Sequence, residues 1–256
     1  MIDVGASRLS EVEKASSHGS AALCFSNVSA SYGPYRALFS VSFSVPAGSV
    51  VALLGANGAG KSTVARVATG LVPVTGGHVF FHGTDITGWS AWRIARLGLV
   101  HAPEGRSVFA TLTVEENLEL DFVKSAGRHR ADQAVERAYG FFPRLKERRR
   151  QLAGTLSGGE QRMLSLARVL SVPPKMLIVD ELTFGLSPGI AAEVFSSLRA
   201  LKDQGCTLLV VEQHVHQALA IAERAVVLAH GSIAYEGPIS EMGDLAERLL
   251  GGKTAS

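Results

Sequence analysis

Between Ser49 and Thr63 the chain reads Ser-Val-Val-Ala-Leu-Leu-Gly-Ala-Asn-Gly-Ala-Gly-Lys-Ser-Thr. One cation, Lys61, and two hydroxyls, Ser62 and Thr63, directly follow a loop of Gly55, Ala56, Asn57, Gly58, Ala59 and Gly60. That grouping suits the holding of phosphate. The glycines let the backbone curl until successive N–H groups converge on one concavity that fits an anion's oxygens. A helix opening at Lys61 aims the positive end of its dipole at the same place. Lys61 then reaches the β- and γ-phosphates, and the Ser62 hydroxyl is a ligand for Mg²⁺. The flanks agree. Val50 to Leu54 is a run of β-formers and Val64-Ala-Arg-Val-Ala is helix-forming, so the loop has the strand–loop–helix setting it requires. A glycine-rich turn before a core helix is the bland alternative, and it leaves the full pattern unaccounted for.

Three further groupings carry chemistry. Leu156-Ser157-Gly158-Gly159-Glu160 opens a helix, with Ser157 and Glu160 at capping-box spacing. Glycine is poor inside helices, so two in a first turn point to close approach by something else. Met176 to Val179 is a wholly apolar strand ending in Asp180-Glu181, and carboxylates at the carboxyl end of such a strand sit where doubly wound sheets bind ligands. Thr207 to Val211 is a second buried strand, ending in Glu212-Gln213-His214. Upstream, Ser31-Tyr32-Gly33-Pro34-Tyr35 offers an aromatic ring that either stacks on a purine or packs on its own strand.

The elements that must position these groups follow from the periodicity. Leu23 to Val45 is strand-like, with Phe39, Val41, Phe43 and Val45 alternating as in a half-buried strand. Pro73 and Gly76-Gly77 give a turn, and His78 to Gly83 is a strand that closes a small β lobe. The two histidines there lack a third ligand. Leu99 to His101 is a short strand, and Thr113-Val-Glu-Glu116 has capping-box spacing for a helix through Leu120. Ala134, Ala138 and Phe141 share one face of a helix that ends before Pro143, and Arg144 to Arg150 is a basic run read as a solvated face. After Ser157 a helix turns Met163, Leu166, Ala167 and Leu170 inward. Another follows Pro188 with Val194, Leu198 and Leu201 on one face. A hairpin turns at His230-Gly231, and a last amphipathic helix runs through Leu250.

The totals bound the class. The chain has 256 residues, 46% hydrophobic and 19% charged, with a net charge of +2, the profile of a globular protein with ample core. So small a net charge gives no bulk attraction for nucleic acid or anionic membrane. Cys24 and Cys206, without metal-ligand or redox spacing, read as small core residues of a reducing cytosol. No apolar run approaches the ~20 residues of a membrane span. Met1 to Ala21 has no apolar core and reads as a flexible N-terminal extension rather than a secretory signal.

With these residues in place, the chain resembles the ATP-binding subunit of ABC transporters over about Leu23 to Gly251. Phosphate loops occur in many NTPases. The pairing of one with Leu-Ser-Gly-Gly-Glu and an apolar strand ending Asp-Glu is nearly confined to this family. The resemblance implies an α/β fold: a P-loop NTPase core of mainly parallel sheet, an antiparallel β subdomain and an inserted helical subdomain over about residues 88–160. The ATPase domain would span 22–251 and a tail 252–256. It makes Tyr32 the adenine-stacking aromatic, Leu156 to Glu160 the signature, Asp180 a Mg²⁺ ligand and Glu181 the catalytic glutamate. It implies ATP and Mg²⁺ as cofactors. Two such domains face each other head to tail, with ATP between one subunit's phosphate loop and the other's signature, so dimerisation is an ATP-dependent switch. The helix start at Ser157 would then offer N–H groups to the γ-phosphate across the interface.

Within the family the texture is similar to importer subunits for branched-chain amino acids and for urea or short amides. It lies in Ala102 to Phe109, Leu112 to Leu118, Gly154 to Gln161 and Val211 to Leu219. This implies a peripheral place on the cytoplasmic face of the inner membrane. The implied partners are a second ATPase subunit, alike or distinct, permease subunits, and through them a periplasmic or extracellular solute-binding protein, with no nucleic acid. The permease groove would lie near Glu104 to Phe122. Four positions depart from the family pattern. Glu104 replaces a Gln that senses Mg²⁺ and the attacking water, and a carboxylate there is a stronger Mg²⁺ ligand. Leu182 replaces a Pro, restoring an N–H. Ser187 replaces an Asp. Gln213 stands at the switch histidine, with His214 one residue on as the alternative; Gln can donate to the γ-phosphate but carries no charge. Slow hydrolysis by the isolated subunit is the expected consequence.

Overall fold

The computed structural model describes residues 21–102, 108–120, 128–170, 172, 174–181, 186–212, 215–243 and 245. The chain opens with two long strands, β1 (Ala21–Tyr32) and β2 (Tyr35–Pro46), joined at Gly33-Pro34. Next come β3 (Val50–Leu54), α1 (Lys61–Ala68), β4 (Val74–Phe81) and the two-residue β5 (Thr84–Asp85). α2 (Ala91–Leu97) leads into β6 (Leu99–Ala102). A helical layer follows, with α3 (Val114–Glu119), α4 (Arg128–Phe141), α5 (Pro143–Glu147) and α6 (Gly158–Leu170). β7 (Met176–Asp180), α7 (Pro188–Asp203), β8 (Thr207–Val211), α8 (Val215–Leu219), β9 (Arg224–Ala229) and β10 (Ser232–Pro238) complete it.

Two sheets result. An antiparallel one has the order β2-β1-β4-β5, and a six-stranded one has the order β10-β9-β3-β8-β7-β6. In the second, β9, β3, β8, β7 and β6 are mutually parallel and only β10 runs antiparallel, on the edge. The expected α/β architecture is therefore present. β3, β7 and β8 are buried at every residue, as strands covered on both faces must be. Side chains alternate between faces. Val50, Ala52, Leu54, Leu177, Val179, Leu208 and Val210 join the core on the helical-layer side. Val51, Leu53, Met176, Ile178, Leu209 and Val211 join the core shared with α1 and the antiparallel sheet.

Three sequence expectations change. Phe39 is exposed while Val41, Phe43 and Val45 are buried. Ser40 between them has φ 50 and the β1–β2 register shifts nearby, so a bulge breaks the alternation. Gly76 and Gly77 lie inside β4 rather than in a turn before it. A Cβ on Gly77 (φ 80) would stand 2.3 Å from the Asn27 carbonyl oxygen, so the glycine marks an irregularity where two backbones approach. Cys24 is only half-buried, because it faces away from the core that takes Leu23 and Phe25. The range 88–160 holds α2, then β6, an edge strand of the six-stranded sheet, and then the helical layer that opens with α3. Residues 1–20 and 246–256, with the expected extension, last helix and tail, lie outside the described residues.

Candidate nucleotide site

Parallel strands bring their carboxyl ends to one edge of the sheet, and this gathers groups remote in sequence. The loop 55–60 leaves β3, Asp180 ends β7 and Glu212 follows β8, which lies between them. β3 and β7 are two strand spacings apart, about 9.5 Å, and α1 packs over β7 and β8. Ser62, in the first turn of α1, thus meets a residue 118 positions away: its Oγ donates to Asp180 Oδ1 at 3.3 Å.

Two of the loop's glycines, Gly55 and Gly60, sit where an added Cβ would force movement. Gly60 caps α1 with φ 105, and a Cβ there would crowd the Ala37 carbonyl oxygen (3.1 Å) and Leu38 (3.0 Å). A Cβ on Gly55 would stand 2.4 Å from the Leu228 carbonyl oxygen. No side chain caps α1 and no acidic residue occupies its first turn, so its positive end faces the loop uncompensated. The β9–β10 hairpin buttresses the loop from outside. Its turn residues His230 and Gly231 have φ 49 and 76, as a two-residue primed turn requires. Gly231 donates its N–H to the Ala59 carbonyl (2.9 Å) and accepts from the Phe39 N–H (2.8 Å).

Lys61 is 5% exposed, and its Nζ donates to the carbonyls of Gly55 (2.8 Å) and Ala56 (3.1 Å). Burial lowers its pKa, opposed by the carboxylates of Glu181, Asp180 and Glu212. Glu181 sits with φ 47 and donates its N–H to the Val211 carbonyl (2.9 Å). A non-glycine residue held left-handed is strained, a condition that clusters at functional sites. Behind Asp180 lies His101 of β6, its Nε2 3.9 Å from Asp180 Oδ2. Burial, with the nearby Arg66 charge, pushes its pKa down to about 4, so the ring is neutral at pH 7. Tyr32 is 42% exposed at the end of β1, and its hydroxyl accepts from Arg66 at 3.4 Å.

A model of the ABC transporter family matches residues 38–184. The chain belongs to that family. Over 82% of its length it is 42% identical to the high-affinity branched-chain amino acid transport ATP-binding protein BraG of Pseudomonas aeruginosa, covering 90% of that protein. It is 36% identical to the probable branched-chain amino acid transport ATP-binding protein LivF of Archaeoglobus fulgidus, over 84% of this chain and 91% of that one. The lipopolysaccharide export system ATP-binding protein LptB of Escherichia coli is 30% identical, over 87% and 92%. Among solved structures, an ATP-binding cassette of an ABC transporter in its ADP conformation superposes with a TM-score of 0.76 at 28% identity, covering 90% of this chain and 95% of that one.

Leu156 to Glu160, the stretch that resembles the family signature, leads into α6 of the helical layer. Ser157 is exposed and Gly158 and Gly159 are half-buried, so the tip of α6 faces outward. The capping box is complete: the Ser157 N–H donates to Glu160 Oε2 (2.9 Å), and the Glu160 N–H donates to Ser157 Oγ (3.3 Å). Glu160 is further paired with Arg148 Nε at 3.0 Å. Burial alone would raise its pKa, but the Ser157 hydrogen bonds and the Arg148 and Arg144 charges hold it low. A Cβ on Gly159 would stand 2.6 Å from Ile190 Cδ1 of α7, a terminal methyl that can turn aside. Leu156 is buried.

Sequence reading passed over several supports. Gln161 Nε2 donates to the carbonyls of Ala153 (3.1 Å) and Leu156 (3.2 Å) and so shapes the signature loop. Asn117, wholly buried, accepts from the Phe109 N–H (2.8 Å) and donates to the carbonyls of Phe109 (3.0 Å), Leu112 (3.3 Å) and Thr113 (2.9 Å). A polar residue inside an apolar run, such as His101 in Leu99 to Ala102, was the available signal. The basic run is ion-paired at its surface, Lys146 with Glu136 (2.7 Å) and Arg144 with Glu193 (3.4 Å). Glu104, Gln213, His214 and Leu182 lie outside the described residues. Ser187 is an exposed N-cap of α7.

Proposed function

We propose that the chain is the ATP-binding and ATP-hydrolysing subunit of an ABC importer for branched-chain amino acids, working as one of a pair of ATPase subunits on the cytoplasmic face of the cell membrane. The observation that carries the chemistry is the meeting of Ser62 and Asp180 at 3.3 Å beside the phosphate loop. A hydroxyl and a carboxylate are hard oxygen donors, which suit Mg²⁺ and leave its remaining positions to phosphate and water. When bound, Mg²⁺ supplies charge neutralisation at the phosphates. Ser62 and Asp180 would hold it, with Glu104 as a further ligand.

The remaining work falls to the chain's own groups. The N–H groups of residues 55–63 hold the phosphates, with the end of the α1 dipole behind them. Lys61 exchanges its bonds to the Gly55 and Ala56 carbonyls for phosphate oxygens, so its charge meets the transferring group. Glu181 orients the attacking water and accepts its proton. Tyr32 stacks on the adenine. Gln213, or His214, donates to the γ-phosphate. The outward tip of α6 completes the site of the second ATPase subunit, so ATP joins the pair and hydrolysis releases it. The permeases receive this motion and the solute-binding protein delivers the solute.

The likeness to BraG, at 42% identity against 30% for the lipopolysaccharide export protein, favours amino-acid import over export. Copurification of the tagged chain from membranes tests this. Permeases of the branched-chain amino acid class are expected, together with isoleucine, leucine or valine uptake that depends on Lys61 and Glu181. Recovery with lipopolysaccharide-export components, or with no membrane protein, would refute it.

A further inference from the structure

His101 is the polar member of β6, and its side chain is turned into the protein, 7% exposed. Neither ring nitrogen has a hydrogen-bond partner among the described residues. A buried polar ring without partners opposes folding and calls for a reason. One group stands within reach. Oδ2 of Asp180, whose side chain is 4% exposed, lies 3.9 Å from Nε2. The parallel register sets His101 opposite Ile178, two residues before Asp180, so adjacent strands carry the pair. An approach of about 1 Å makes this a hydrogen bond. The other oxygen, Oδ1, faces the Ser62 hydroxyl. The two carboxylate oxygens therefore look in different directions, one to the phosphate loop and one to the imidazole.

We propose that His101 is a positioning residue for the magnesium site, donating its Nε2–H to Asp180 Oδ2 so that Oδ1 stays turned toward Ser62 and the metal. The proposal rests on the reading of Asp180 as a Mg²⁺ ligand. A carboxylate that binds a metal needs a partner to fix its rotation, and outer partners of this kind are a recurrent part of metal sites. A neutral imidazole suits the task. It orients Asp180 without bringing a positive charge that would compete with Mg²⁺, and burial keeps the ring uncharged. Asp180, as an acceptor, selects the tautomer with the proton on Nε2.

The test compares the full chain with its His101→Phe and His101→Gln variants. Binding of a fluorescent ATP analogue is followed as Mg²⁺ is titrated, and again in EDTA. His101→Phe should raise the Mg²⁺ midpoint by about tenfold or more and leave binding in EDTA unchanged. His101→Gln, whose amide can donate to Oδ2, should recover most of that loss, which a purely packing role would not produce. Should His101→Phe not fold, nitrogen-15 NMR of the wild-type imidazole gives an independent readout. The Nε2–H tautomer is expected in the presence of Mg²⁺ and nucleotide. A folded His101→Phe protein with the wild-type midpoint, or an Nδ1–H tautomer in the wild type, overturns the proposal. A wild-type protein whose nucleotide binding ignores Mg²⁺ overturns the magnesium reading of Asp180, and this proposal with it.

Discussion

Replacing Gly231 with alanine should damage the phosphate loop from outside it. Gly231 lies in the β9–β10 turn, far in sequence from residues 55–60, yet its N–H bonds the Ala59 carbonyl at 2.9 Å and its carbonyl accepts from Phe39 at 2.8 Å. A Cβ there would lie 2.4 Å from the Ala37 carbonyl oxygen and 2.8 Å from Phe39 Cδ2. Relief to ordinary contact needs a movement of about 1 Å away from β2, which stretches both hydrogen bonds. Each is worth about 1 kcal/mol net, and alanine at φ 76 adds roughly 1–2 kcal/mol of backbone strain. The total is about 3–4 kcal/mol. Gly205→Ala is the matched control, since φ is 88 but nothing lies within 4 Å of the added carbon, so only the strain of roughly 1–2 kcal/mol remains. Urea unfolding followed by circular dichroism should separate the variants by about 2 kcal/mol, or roughly 4–8 °C in Tm for a chain of this size. Binding of a fluorescent ATP analogue should weaken in Gly231→Ala and not in Gly205→Ala. Equal destabilisation by the two substitutions, with nucleotide affinity intact in both, would refute the link between hairpin and loop.

Four other outcomes are expected. Lys61→Ala should abolish ATP binding, and Glu181→Gln should retain it, nearly stop hydrolysis and trap a dimer, as sedimentation with ATP would reveal; a monomer under those conditions, with and without the natural partner, contradicts the shared site. Asn117→Ala should cost about 1–3 kcal/mol in chemical unfolding, because the Phe109 N–H loses its acceptor while the carbonyls of Phe109, Leu112 and Thr113 keep their backbone donors; a cost below about 1 kcal/mol would mean water replaces the amide. His101 has its folded pKa lowered from 6.5 to about 4, so between those values the unfolded chain binds more protons. Stability should therefore fall as pH drops through that window, by at most about 1.4 kcal/mol per pH unit, and His101→Gln should flatten that part of the profile.

Local signals were legible wherever one segment suffices to define a structure. Three glycines and Lys-Ser-Thr between a β run and a helix specify a strand–loop–helix, which β3, residues 55–60 and α1 form. Thr113 with Glu116 and Ser157 with Glu160 specify capped helix starts, and both pairs close in space. Apolar runs marked β7 and β8 as buried strands, and a run of β-formers marked β3 as a strand. Misreadings arose where a neighbour decides. Phe39 lost its buried place to a bulge at Ser40. Gly77 became part of β4 because Asn27 on the adjacent strand leaves no room for a Cβ. Gly159 packs beside Ile190 of α7, where the sequence had pointed only to something approaching the helix start.

The sequence alone determined which chemical groups are present and the local geometry of each, because turns, caps and strand burial depend on residues a few positions apart. Tertiary structure decided which groups meet. Ser62 reaches Asp180 because α1 lies over β8 and β7, and His101 comes within 3.9 Å of Asp180 because β6 pairs beside β7 in that register. Gly231 holds the phosphate loop because its hairpin folds against the outside of that loop. The strand order β10-β9-β3-β8-β7-β6 fixes all three meetings. It arises from long-range packing of faces that are equally apolar, and apolar periodicity does not distinguish one neighbour from another.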